Sequence, residues 1–119
     1  TIRDMVDGDL NRVTPKIIAD AAVAGDEVAQ DIIKRAGFYI GIALSSACVV
    51  VNPEMIVIGG GVAQAGRLLF ESIANSLKEN LHMVPVSSMQ FTETELGMDA
   101  GVIGTATWSK EKLEKGELE

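Results

Sequence analysis

The run Pro53-Glu54-Met55-Ile56-Val57-Ile58-Gly59-Gly60-Gly61-Val62 decides how this chain folds. Met55 to Ile58 is an unbroken apolar stretch, too short for a helix and rich in β-branched residues. It predicts a strand buried on both faces. Three glycines follow, and an amphipathic pattern resumes by Arg67. A buried strand that feeds a glycine turn and then a helix brings backbone amides to a phosphate. Glycine leaves no Cβ in the way, and the helix start turns unpaired N–H groups toward negative charge. The stretch is neither GxGxxG nor GxxxxGK[ST]. A tight strand-to-helix turn with no ligand reads it equally well.

Upstream of this strand, Asn52-Pro53 stops a long helix, because proline disfavours the α conformation in the residue before it. That helix is predicted from Glu27 to Val51, about 37 Å at ~1.5 Å per residue, with Asp26 as its cap and Glu27 set favourably in the first turn. Its first half is amphipathic: Ala29, Ile32, Ile33 and Ala36 face inward, while Gln30, Asp31, Lys34 and Arg35 face outward. Its second half is apolar nearly all round and must be covered on most sides. Gly37, Gly41, Ala43, Ser45, Ser46 and Ala47 let another backbone pack closely there, and Ser45 and Ser46 bond back to helix carbonyls. The run Phe38 to Val51 falls short of the ~20 residues that span a bilayer and reads as a core helix. A shorter helix precedes it, capped by Thr14 with Pro15 at its first position and ended by Gly25. Ile17, Ile18, Ala21, Ala22 and Ala24 give that helix its apolar side, and Thr1 to Arg12 is read as loop.

Downstream, Leu69, Phe70, Ile73, Leu77 and Leu81 mark the buried side of a helix from about Gly66 to Leu81. Val84-Pro85-Val86 opens a second strand through Met89 and Phe91, with a slipped alternation that predicts a bulge or a late start. Asp99 caps a last helix ending near Ser109, and residues 110–119 form a charged, solvated tail. Strand, helix and strand in this order make a parallel βαβ unit. Two strands do not complete a doubly covered sheet, and the chain opens on Thr1. The reading is therefore a fragment of a longer protein whose other strands lie upstream.

Composition narrows the function classes. Hydrophobic residues make up 47% and aromatics only 4%, so the core is aliphatic. A formal net charge of −7 with no basic stripe argues against nucleic-acid binding by this region. Cys48 is the single cysteine, which excludes an internal disulfide and suits a buried residue in a reducing cytoplasm. There is no basic segment and cleavage site of the kind that marks a signal peptide.

Three stretches carry a resemblance to a known family: Ala21 to Ala29, Asn52 to Val62, and Leu96-Gly97-Met98-Asp99-Ala100-Gly101-Val102-Ile103-Gly104-Thr105-Ala106. Together they resemble the C-terminal part of ROK-family proteins (repressor, open reading frame, kinase), glucokinases above all, across essentially residues 1–119. The resemblance implies an α/β fold, the C-terminal part of an actin-like ATPase (ribonuclease H-like) domain. It implies that Gly59, Gly60 and Gly61 lie against the ribose and α-phosphate of ATP, with Val62 on the adenine side. Gly101 and Gly104 then fall in the second interdomain connection, with Gly101 counted among the nucleotide-binding residues, and Thr105 replaces the usual Ala or Gly there. ATP and Mg2+ are the implied cofactors, a hexose the substrate, and a cytoplasmic homodimer with no membrane contact the setting. The family's DxGxT loop, its catalytic Asp and its His–Cys₃ zinc cluster have no counterpart in this chain. His82 and Cys48 cannot build a zinc site, so no catalytic or metal residue is assigned. A ROK transcriptional repressor and a module for assembly alone stay open beside the kinase.

Overall fold

The computed structural model describes residues 1–117, without the side chains of Val62 and Gln64. Its elements are α1 (Ile2–Met5), α2 (Pro15–Val23), α3 (Glu27–Val51), β1 (Met55–Ile58), α4 (Arg67–Asn80), β2 (Gln90–Glu93) and α5 (Ala100–Glu114), with short 3₁₀ turns between them. It is a mixed α/β structure, mostly helical, with a two-stranded parallel sheet.

Local chemistry sets the limits of α3. Asp26 Oδ1 accepts from Ala29 N at 3.0 Å, and its Oδ2 accepts from Ile2 N at 2.8 Å. One carboxylate therefore starts α3 and ties α1 to it. The Ala29 and then the Ile2 amide hold the Asp26 carboxyl below its ordinary value of 3.8. At the other end Asn52 turns left-handed at φ 48°, and its N–H donates to Cys48 O at 2.8 Å.

The small residues of α3 seat α4. A Cβ on Gly37 would lie 2.5 Å from Ser72 Cβ, and one on Gly41 would lie 2.5 Å from Ser76 Cβ and 2.9 Å from Ile73 O. Ser76, buried in this seam, donates to Phe38 O across it at 2.7 Å. Ser45 and Ser46 both donate back to Ile42 O, at 2.7 and 3.4 Å. One core joins α2, α3 and α4 through Ala21, Ala22, Ala29, Ile33, Leu69 and Ile73; a second, around Cys48, Ile56, Leu77 and Leu81, carries the sheet. Phe70 and Phe91 meet edge to face at 5.7 Å between the two.

β1 and β2 pair in parallel, Met55 opposite Gln90 and Ile58 opposite Glu93, with α4 as the crossover. Several expectations need correction. β1 is buried on one face only: Ile56 is 8% exposed, but Met55 and Val57 are 47% and 54% exposed. The second half of α3 is covered along a single stripe, leaving Tyr39, Val50 and Val51 exposed, because α4 reaches only the side bearing Gly37, Gly41, Ser45 and Cys48. By length and composition α3 could cross a membrane, yet that stripe is docked on α4. Residues 1–12 are not plain loop: Thr1 and Asp4 form a capping box on α1, and Leu10–Arg12 is a 3₁₀ turn. Of the bulge or late start expected for β2, the structure shows the late start: Pro85 opens a 3₁₀ turn at Val86–Ser88, and the strand begins at Gln90 rather than Val84. Asp99 makes no capping bond with its side chain. α5 runs past Ser109 to Glu114, with Lys110–Glu114 and Glu111–Lys115 paired at one-turn spacing. Residues 118 and 119 of the predicted tail lie outside the described residues.

Candidate functional site

The three glycines at the end of β1 do three different jobs. Gly59 is pressed against the end of β2, where its missing Cβ would lie 2.9 Å from Thr94 Cγ2. The adjoining Thr94 N donates to Ile58 O at 2.9 Å and closes the sheet. Gly60 stands at φ 77°, a left-handed conformation that glycine adopts without strain. Gly61 has neither constraint: its φ is not left-handed, and a Cβ there meets nothing within 4 Å. Among the described residues, nothing requires glycine at position 61.

What Gly61 does border is a cleft of about 570 Å³, a size suited to a small organic ligand. It opens between α2, α3 and the turn after the glycines. Ile32, Ile33 and Ala36 of α3 form one wall, Ile18 and Ala19 of α2 another, and Leu69 with Ala65 the inner end. The exposed residues Pro15, Lys16 and Asp20 of α2, with its cap Thr14, make the rim. Ile33 and Leu69 are buried at 5% and 1%, whereas Ile32 keeps 41% of its surface exposed. Ile32 and Ala36, inward-facing by their spacing, face a hollow. In the sequence these positions look like ordinary core residues, and nothing there reveals the opposite wall. A second hollow, bordered by Asn52, Glu54, Ser88 and Gln90, lies at the opposite end of the strands and is more polar.

The loop departs from the simple strand–turn–helix expectation. Gly61–Ala65 forms a 3₁₀ turn, Ala63 is buried, and a second left-handed glycine, Gly66 at φ 74°, precedes α4. The first turn of α4 is thus set back from Gly59–Gly61 by a full turn of chain. Val62 sits in the 3₁₀ turn, and its side chain lies outside the described residues. Gly101 is in the first turn of α5, exposed, with nothing within 4 Å of its Cβ position and no part in the cleft wall. Of the sequence-derived site residues, the structure brings Gly59, Gly60 and Gly61 together and places Gly61 on the cleft.

Comparison with known proteins gives one consistent answer. The ROK family matches residues 1–112. A glucokinase of Halalkalibacterium halodurans is 35% identical over 107 residues, covering 87% of this chain and 32% of the relative. The DNA-binding transcriptional repressor Mlc of Escherichia coli is 28% identical over 111 residues, covering 89% of this chain and 26% of the relative. A crystal structure of a ROK family glucokinase from Streptomyces griseus, in complex with glucose and AMPPNP, superposes with a TM-score of 0.80 at 27% identity. It covers 90% of this chain and 35% of that one. The chain thus spans about a third or less of the length of these relatives, and its own fold is that of the corresponding part of an actin-like ATPase.

Proposed function

This chain belongs to the ROK family, and from that premise we propose that the whole protein is an ATP-dependent hexose kinase. The sugar is glucose and the acceptor its 6-hydroxyl, with Mg2+ beside the transferred phosphate. Residues 1–119 supply the adenosine side of the nucleotide site. Gly59, Gly60 and Gly61 receive ribose and α-phosphate by close backbone approach, Val62 lies on the adenine side, and the base enters the cleft behind Gly61. Gly101 and Gly104 serve the hinge between domains. The protein works in the cytoplasm as a homodimer.

The observation that carries this reading is Gly61 itself, a glycine that borders the cleft and that no described neighbour requires to be glycine. The cleft's aliphatic walls suit the faces of a base, and the glucokinase relatives point to the same chemistry. A kinase also needs a base, a metal and phosphate loops around the transferred group. This chain alone therefore binds nucleotide without turning over sugar.

Calorimetric titration of the folded chain with MgADP tests this directly. Saturable binding is expected, and Gly60→Val, which forces a β-branched residue into a left-handed conformation, is expected to abolish it. Failure of a cooperatively folding chain to bind MgADP would move the weight to the second reading. The Mlc match favours that alternative, the ligand-sensing domain of a ROK repressor.

A further inference from the structure

The rim of the cleft carries two charged side chains, Lys16 and Asp20, on the same face of α2. Lys16 Nζ stands 3.5 Å from Asp20 Oδ2, and the side chains are 79% and 53% exposed. An ion pair this open contributes little to stability, so both groups are free to turn to a ligand at low cost. Side by side they offer one donor and one acceptor at the mouth of an otherwise aliphatic slot.

Adenine shows the complementary pattern on its edge: the N6 amino group donates next to the N7 acceptor. A 6-oxo purine shows two adjacent acceptors there, O6 and N7, and would set O6 against the Asp20 carboxylate. We propose that Lys16 and Asp20 read the base edge, so that this cleft selects 6-amino over 6-oxo purine nucleotides, with Asp20 as the discriminating residue. The proposal rests on the adenosine-site reading above. The aliphatic walls hold the ring faces whatever the substituent, because apolar burial follows area. The distinction between the two bases then falls to the rim. In this arrangement Lys16 donates to N7 in both classes, and only Asp20 sees the difference.

The test compares MgADP with MgIDP, which share the N7 acceptor and differ in the C6 substituent and the N1 proton beside it, by calorimetry on the chain and on two rim variants. The unaltered chain is expected to prefer MgADP roughly tenfold, the level of one solvent-open edge contact. In Asp20→Asn, whose amide also donates to O6, the preference should collapse toward unity. Lys16→Met should weaken both ligands alike and leave the ratio standing. Both positions are exposed, so the variants fold as the parent does. Equal binding of the two nucleotides by the unaltered chain would overturn the proposal while leaving the nucleotide site intact. An unchanged ratio in Asp20→Asn would do the same. Binding of neither nucleotide would overturn the site reading and this one with it.

Discussion

Replacing Gly41 by alanine lowers the melting temperature of this chain, although alanine is the better helix former. In a free helix the change would be worth about 0.5–1 kcal/mol in favour of alanine. Here the new Cβ would fall 2.5 Å from Ser76 Cβ, 2.6 Å from Ser76 Oγ and 2.9 Å from Ile73 O. The last of these is backbone and cannot swing away, so α3 and α4 must separate. Overpacking of a tight contact costs roughly 1–3 kcal/mol. Separation also stretches the buried bond from Ser76 to Phe38 O, itself worth about 1 kcal/mol. The penalties exceed the propensity gain, and a net loss of about 2 kcal/mol corresponds to a fall of roughly 8 °C in a domain of this size. Gly41→Val should fall further. Gly101→Ala and Gly104→Ala are the controls: both positions are exposed with nothing within 4 Å, so the melting temperature should hold or rise. Thermal denaturation followed by circular dichroism separates the cases. A Gly41→Ala protein as stable as its parent would mean that glycine does not set the α3–α4 distance.

Gly61→Val should remove nucleotide binding while leaving stability where it was. Among the described residues nothing lies within 4 Å of the Cβ position at Gly61, and the backbone there is not left-handed, so the folded chain accommodates a side chain. A ligand that needs the backbone at close range does not. We expect a loss of at least ~100-fold in MgADP affinity, about 2.8 kcal/mol at ~1.4 kcal/mol per tenfold, with an unchanged melting temperature. Gly60→Val, by contrast, strains the turn itself and should lose both binding and stability. The pair of variants thus separates a ligand-facing glycine from a conformational one. Parent-like affinity in Gly61→Val would put the nucleotide somewhere other than this cleft.

How much of this was written in the sequence depends on the range of the interaction. The limits of α3 were legible because Asp26 and Asn52-Pro53 act within one turn of the helix end. The seat of α4 was legible in kind, since Gly37 and Gly41 announce a close neighbour without saying which. The face of β1 was misread, because Met55-Ile56-Val57-Ile58 is apolar at every position while only Ile56 and Ile58 meet a partner in this chain. Asp99 carried the right residue type for a cap, but the 3₁₀ turn Gly97–Asp99 holds its backbone in a helical conformation instead of the extended one a cap adopts, and its side chain makes no capping bond. The glycine loop was found from local pattern alone. The cleft beside it was not, because its walls come from α2, α3, the turn and α4, four segments that meet only after folding.

The parallel pairing of β1 with β2 also dictates an order of events. Parallel neighbours cannot be joined by a tight hairpin, and Met55 meets Gln90 only across the whole of α4. Contacts so distant in sequence cost loop-closure entropy before they repay it. α4 must therefore lie against α3 before the strands can find each other, and the strand ladder assembles after that docking. By the same logic it opens before that docked pair: in hydrogen exchange, the amides of Gln90 and Thr94 should trade their protons ahead of those at the centre of α3.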